Sequence, residues 1–273
     1  MNEKINNILS EYSKVVVLHT KKINNLPQYT EITLSDIEKL KNPNKFSSMS
    51  KIWFDIADKI IDQVDIKDLY IDVNKNDVES LKFFREKSLD NRSTSEMVSD
   101  YISGNVYMND LYADKVCLNI KSLMFTSFYP HILIKLVDND ILKMNEKYYT
   151  VFKYIFTKRN ELENRIVTKM FINYFYGIIS GESRPDQKNN KINCGKLFNF
   201  EYYKLFLYNK IKAQLKNDLI YLDVDKFYYK GDHQFNFDLP YEIENVDEFV
   251  IFKKKKFIEK INNNTKYKGF KFV

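Results

Sequence analysis

Cysteine is nearly missing from this 273-residue chain, which carries only Cys117 and Cys194. Two thiols cannot make a disulfide framework. Neither they nor the three histidines, His19, His131 and His233, stand at zinc-ligand spacing. The same scarcity leaves no Ser/His/Asp or Cys/His triad to argue for, and it fits a reducing compartment. Long apolar runs are absent too: no stretch approaches the roughly 20 consecutive apolar residues of a membrane-spanning helix. The opening segment MNEKINNILSEYSK lacks the apolar core of a signal peptide, so an intracellular rather than a secreted protein is expected. Glycine (6) and proline (5) are scarce. Each remaining glycine is therefore informative, because left-handed or crowded backbone still requires it.

What the chain does have is aromatic bulk, 20 Tyr and 21 Phe, in a composition of 44% hydrophobic and 29% charged residues. That balance describes a folded globular protein, long enough for one large domain or two small ones. A net charge of +6 permits a polyanionic partner without requiring one.

In KIWFDIADKIIDQV (51–64), Trp53, Ile56, Ile60 and Val64 recur on one helical face. KVVVLHT (14–20) and LYIDV (69–73) read as strands, and VESLKFFREKSL (78–89) as a short helix. The polar break from Asp90 to Ser95 is the best boundary, separating an N-terminal accessory region (1–95) from 96–273. Beyond it, apolar runs at 116–123 and 132–136 read as strands. The tract 141–180 reads as two antiparallel helices joined by KRNELEN (158–164), and 201–216 as another amphipathic helix. LIYLDVD and KFYYKG read as strands meeting at a tight turn, and FVIFKKKKFIEKI as strand carrying a lysine run.

TSFYPHIL (126–133), KMFINYFYG (169–177), YLDVDK (221–226) and KKKKF (253–257) with KYKGFKFV (266–273) stand in an order that resembles the family B DNA polymerases. The first resembles the S-L-Y-P part of that family's motif A. The second resembles motif B, K-x-x-x-N-S-x-Y-G, at Lys169, Asn173, Tyr176 and Gly177. The third resembles motif C, usually Y-G-D-T-D-S, and the last pair the K-K-x-Y and K-G-x-x-x-V elements before the thumb. YISGN (101–105) is similar to the Y-x-G-G loop upstream of motif A. The resemblance implies an α+β fold: a palm with an antiparallel sheet backed by helices, and short two-helix fingers over 141–180, as in the protein-primed branch.

The residues support such chemistry on their own terms. Asp223 and Asp225, two apart, share a strand face and offer hard oxygen ligands suited to Mg²⁺ and two-metal phosphoryl transfer. A solvated hairpin bend is the plain alternative. Lys169, Asn173 and Tyr176, spaced i, i+4, i+7, share a helical face. The resemblance implies that Lys169 contacts phosphates, that Asn173 and Tyr176 lie near the nascent pair, and that Gly177 admits a close backbone. A surface lysine beside a core tyrosine is the alternative, and Tyr174 stands where serine is usual. Tyr129 resembles the residue under the incoming sugar. Arg159 or Arg165 would add a cationic contact, unless Lys158–Arg159 is simply a basic helix end. Lys254, Lys255 and Lys268 are candidate contacts to DNA phosphates, worth a salt-dependent gain in affinity.

One ligand is missing. The motif A aspartate falls on Met124 if TSFYP sets the register, or on Asn119 if VCLNIKSL does. Neither thioether nor amide replaces a carboxylate bridging two hard cations, and the loss removes stabilisation of the transferring phosphate. Motif C departs as well, with Leu222, Val224 and Lys226; Lys226 would compete with a bound cation. The family's thumb would begin near Val273, and no exonuclease carboxylate motif stands in the first 100 residues. The expectation is a degenerate polymerase-like chain with little or no catalysis. It would bind nucleic acid or act as a scaffold in a viral or plasmid replication or transcription complex, in the cytoplasm of the host cell. DNA and other protein subunits are its expected partners, with Mg²⁺ only if activity persists. Two alternatives stand beside it: an active split polymerase completed by a partner's thumb, and a structural assembly protein reusing the palm.

Overall fold

The computed structural model describes residues 1–13, 45–72, 106–142, 144–179, 195–223 and 225–270. The expected elements at 14–20, 78–89 and 101–105, and the expected boundary at 90–95, lie outside these residues. The chain divides into two compact units, Met1–Lys75 with Leu133–Lys196, and Asn76–Ile132 with Leu197–Val273. The α+β class is observed.

The first unit is helical. It contains α1 (Asn2–Glu11), α2 (Lys45–Gln63), most of α3 (Phe128–Asp138), α4 (Glu146–Thr157) and α5 (Arg165–Ile179). The stripe of Trp53, Ile56, Ile60 and Val64 is buried, as its spacing requires. Asn145 starts α4 by accepting from the Lys147 and Tyr148 N–H groups. The segment 158–164 joins α4 to α5, and Val167, Phe171 and Phe175 form the buried stripe of α5. Between helices, Lys153 and Asp138 make a buried ion pair (2.8 Å), to which the Tyr149 hydroxyl donates at 2.6 Å.

Two expected strands are corrected here. Residues 66–69 form a short 3₁₀ turn in place of the start of a strand, because Asp65 accepts from the Lys67 N–H and fixes a helical bend. Residues 70–72 join no strand. The run 132–136 is helical, within α3. An apolar run that short does not reveal its period, and Pro130 in the first turn suits a helix start.

The second unit contains α6 (Gly195–Leu215) and seven strands: β1 (Val106–Met108), β2 (Val116–Phe125), β3 (Leu219–Asp223), β4 (Lys226–Tyr229), β5 (Tyr241–Lys253), β6 (Lys256–Ile261) and β7 (Asn264–Lys268). They form one antiparallel sheet in the order β1-β3-β4-β2-β5-β6-β7. One face carries Leu123, Phe125, Phe227 and Tyr229, packed with Phe235 and Phe237. On α6, Tyr203 donates to Asp238 (2.6 Å) and Lys212 lies over the Tyr107 ring.

The opposite face curls on itself, and Asn119 shows how. Its backbone is left-handed (φ 51°), in the middle of β2. Ile120 is buried before the kink, yet beyond it Cys117 is buried and Leu118 is 58% exposed. Strict alternation would give the reverse. On β5, Val246 and Phe249 are both buried, three residues apart, so the same switch occurs beside it. The far halves of β2 and β5, with β6, therefore turn over the face that bears Tyr221 and Tyr228. Tyr228 stacks on Phe249 at 4.1 Å, and Phe257 closes the cluster.

The lysine run is also corrected. Lys253–Lys256 is not one strand but the end of β5, a two-residue turn at Lys254–Lys255, and the start of β6. Lys255 is left-handed (φ 62°), which a pattern of identical residues cannot announce. The next turn, Asn262–Asn263, is left-handed at both positions, where asparagine is at ease. No described helix is long and apolar enough to cross a membrane.

Candidate functional site

Strand pairing lines up the site on the curled face. Directly opposed residues share a face, and the register gives Asp223 (β3), Lys226 (β4), Met124 (β2) and Glu242 (β5) as one row. The row beside it holds Tyr221, Tyr228, Ser122 and Glu244. The hairpin proposed from YLDVDK is thus real, and the strand before TSFYP lies next to it. Met124 occupies the row with Asp223. Asn119 lies five residues away at the kink and is solvent-exposed.

Asp223 is 6% exposed. Its Oδ2 accepts from Nζ of Lys268 at 2.5 Å, while its Oδ1 is buried without a hydrogen-bond partner among the described residues. Asp225 lies exposed at the turn, and its carbonyl accepts from the Phe125 N–H (2.8 Å), pinning the turn to β2. Although accessible, its carboxyl has lost enough hydration to raise its pKa above the ordinary range. Its own backbone N–H opposes that rise, the Asp223 charge adds to it, and Lys268 and Lys226 oppose it.

Lys226 completes the picture. Its Nζ lies 2.5 Å from Glu259 Oε1 and 3.6 Å from Glu244 Oε2, over the Tyr228 ring. Glu259 is 3% exposed and also accepts from the Tyr228 hydroxyl at 3.1 Å. Burial first, and the Glu259 charge second, push the Tyr228 pKa up. Burial likewise holds Tyr221 up to about 12, and its hydroxyl accepts the Lys255 N–H at 2.9 Å. Gly269 seals the edge. Its φ is +77°, and a Cβ there would meet the Lys255 carbonyl oxygen at 2.4 Å. The three distant segments YLDVDK, KKKKF and KYKG thereby converge on one place.

The other predicted residues are placed as follows. Tyr129 is half-buried at the start of α3, with its ring edge-on to Phe128 (5.4 Å). Lys169 and Asn173 are both exposed on α5, which also contains Tyr176 and Gly177; all four belong to the helical unit. Tyr174, in the usual serine position, stacks parallel to Trp53 at 5.8 Å. Arg159 folds back on the end of α4, donating to the Phe156 carbonyl (2.8 Å) over that residue's ring. Lys254 and Lys255 are exposed at their turn, and Lys268 is half-exposed.

Glu259 and Glu244 were not among the residues singled out from the sequence. A signal existed for Glu259: in FIEKI it alternates with Phe257 and Ile261, a charge in an inward register.

This set of donors does not fit a pair of hard divalent ions. Such ions take several oxygens. Here one carboxylate is bound to an ammonium, the next row position is another ammonium, and the third is a thioether. Among the described residues, no three His, Cys, Asp or Glu side chains are grouped to hold a metal.

The fold and site together define an α+β chain with a curled antiparallel sheet and an aspartate-bearing hairpin. Among solved structures it is similar to Phi29 DNA polymerase complexed with primer-template DNA (11% identity, TM-score 0.43, covering 69% of this chain and 58% of that one). It is likewise similar to Phi29 DNA polymerase complexed with single-stranded DNA (11% identity, TM-score 0.42, 82% and 62% covered). A third likeness is to an orthorhombic crystal form of the same enzyme (11% identity, TM-score 0.41, 86% and 62% covered). The matched part spans 58–62% of those polymerase chains. No protein-family model and no curated protein sequence matches the chain.

Proposed function

We propose that this chain is a degenerate family B DNA-polymerase-like protein that binds nucleic acid without transferring nucleotides. In this reading it is a binding or scaffolding subunit of a replication or transcription assembly. The observation that carries it is the row Asp223–Lys226–Met124. The hairpin of YLDVDK and the strand before TSFYP lie side by side on one face, which supports reading them as motif C and motif A, with ammonium and thioether where catalysis needs carboxylates. The preserved order of the motif B and K-G segments supports the same ancestry. Glu242 and Glu244 are exposed on this face and repel a phosphate backbone, so the contact to nucleic acid belongs at the Lys254–Lys255 turn.

The test is fluorescence anisotropy with primed and single-stranded DNA over a salt series. Binding should weaken with salt, and Lys254→Ala/Lys255→Asn should reduce the log–log slope by about 0.9 on duplex and about 0.7 on single strand for each phosphate that is no longer neutralised. Asparagine keeps the left-handed turn and the backbone N–H that Lys255 donates to Tyr221, so the hairpin should survive. No binding at low salt, with stable association to other proteins, would instead favour an assembly protein.

A further inference from the structure

We propose that Lys226 and Lys268 are built-in cations that replace divalent metal on the curled face, so that restoring the motif A carboxylate alone leaves this face metal-free. The Lys226 ammonium sits between Glu259 (2.5 Å) and Glu244 (3.6 Å), with the Tyr228 ring 5.1 Å away. Two carboxylates and an electron-rich ring around one point make a cation cradle, and the chain fills it with its own side chain. Lys268 does the same for Asp223, held over the β3–β4 hairpin by the packing of Gly269 on Lys255.

A second observation concerns the other oxygen of Asp223. Asp223 Oδ1 is buried and lacks a hydrogen-bond partner among the described residues. A carboxylate oxygen withdrawn from water without a donor depends on nearby positive charge. Here that charge is Lys268 on the other oxygen of the same carboxylate. Remove the two ammonium groups and Asp223, Asp225 and Glu244 lose their neighbouring cations, while Glu259, among the described residues, keeps only the Tyr228 hydroxyl and the exposed Lys266 at 3.9 Å. With an aspartate at 124 added to the row of Asp223, the freed carboxylates are hard oxygen donors of the kind that Mn²⁺ or Mg²⁺ takes. The loss of the metal site is thus threefold, at positions 124, 226 and 268. The inference rests on the polymerase-like reading only in taking position 124 as that of the missing ligand, and it is silent on nucleic-acid binding.

The experiment is Mn²⁺ titration of the full chain, followed by electron paramagnetic resonance of the free ion. Wild type and Met124→Asp should show no saturable binding. Met124→Asp/Lys226→Ala/Lys268→Ala should gain it, and lose it again when Asp223→Asn is added. Saturable binding by Met124→Asp alone, equal to that of the triple variant, overturns the proposal. So does Mn²⁺ binding to wild type that Asp223→Asn abolishes, or a triple variant with native circular dichroism that binds none. If the triple variant does not fold, Lys268→Ser decides, since that side chain is half-exposed. Its melting temperature should rise with added methylammonium, which replaces the missing ammonium, while that of wild type does not; no rise overturns the proposal. Anisotropy with DNA reads the functional proposal separately, so the two can fail independently.

Discussion

Lys226→Met isolates a largely buried ion pair of the sheet unit. The substitution keeps the length of the stem and removes the charge from Glu259, whose side chain is 4% exposed. Two groups remain to compensate. The Tyr228 hydroxyl still donates at 3.1 Å, and Lys266, 69% exposed, lies 3.9 Å away. A screened surface ammonium recovers little, so the loss should approach the about 3–5 kcal/mol found when one member of a buried pair is removed. With Tyr228 in place, the lower end, about 3 kcal/mol, is expected. Glu259→Gln preserves an acceptor for Tyr228 and also breaks the pair. In the double variant neither charge is left buried, so it should be little worse than Glu259→Gln alone, giving a coupling of about 2–3 kcal/mol. The assay is urea unfolding followed by far-ultraviolet circular dichroism, comparing midpoints at constant slope. A Lys226→Met cost below about 1 kcal/mol, or additive single changes, would refute a desolvated pair.

Gly269→Ala should destabilise the β6–β7 hairpin, because the added carbon meets the Lys255 carbonyl at 2.4 Å in a left-handed backbone; faster amide hydrogen exchange at Lys255 and Lys268 is the readout. Asp225 has a raised folded-state pKa, so its proton favours folding, and that contribution is lost as pH rises through the folded value. Asp225→Asn should therefore raise the melting temperature at neutral pH. The gain should shrink as pH falls toward the ordinary carboxylate value; a gain that grows in acid would show the sign to be wrong.

The parts of the fold that were legible in the sequence are those set by local pattern. The stripe Trp53–Val64 has a helical period, and the hairpin from 219 to 229 has an apolar strand and an aromatic strand on either side of its polar residues. The curl is not legible, because the buried face of β2 switches at the left-handed Asn119 and nothing in the local pattern announces that switch. The strand assignment at 132–136 failed for a related reason: five residues with an apolar majority fit either period, and Pro130 decided it. Asp223 was found from its motif, but its partner Lys268 is 45 positions away and only the folding of β7 brings them together. Lys226 was recognised as a competitor for a cation. That Glu259 holds it in place required the alternation in FIEKI to be read as an inward charge.

Primer extension by the purified chain separates binding from catalysis. With primed template, all four deoxynucleotides and Mg²⁺ or Mn²⁺, the chain should bind the template in a salt-sensitive way and leave the primer unextended. Extension that disappears in Asp225→Ala would contradict the proposed function.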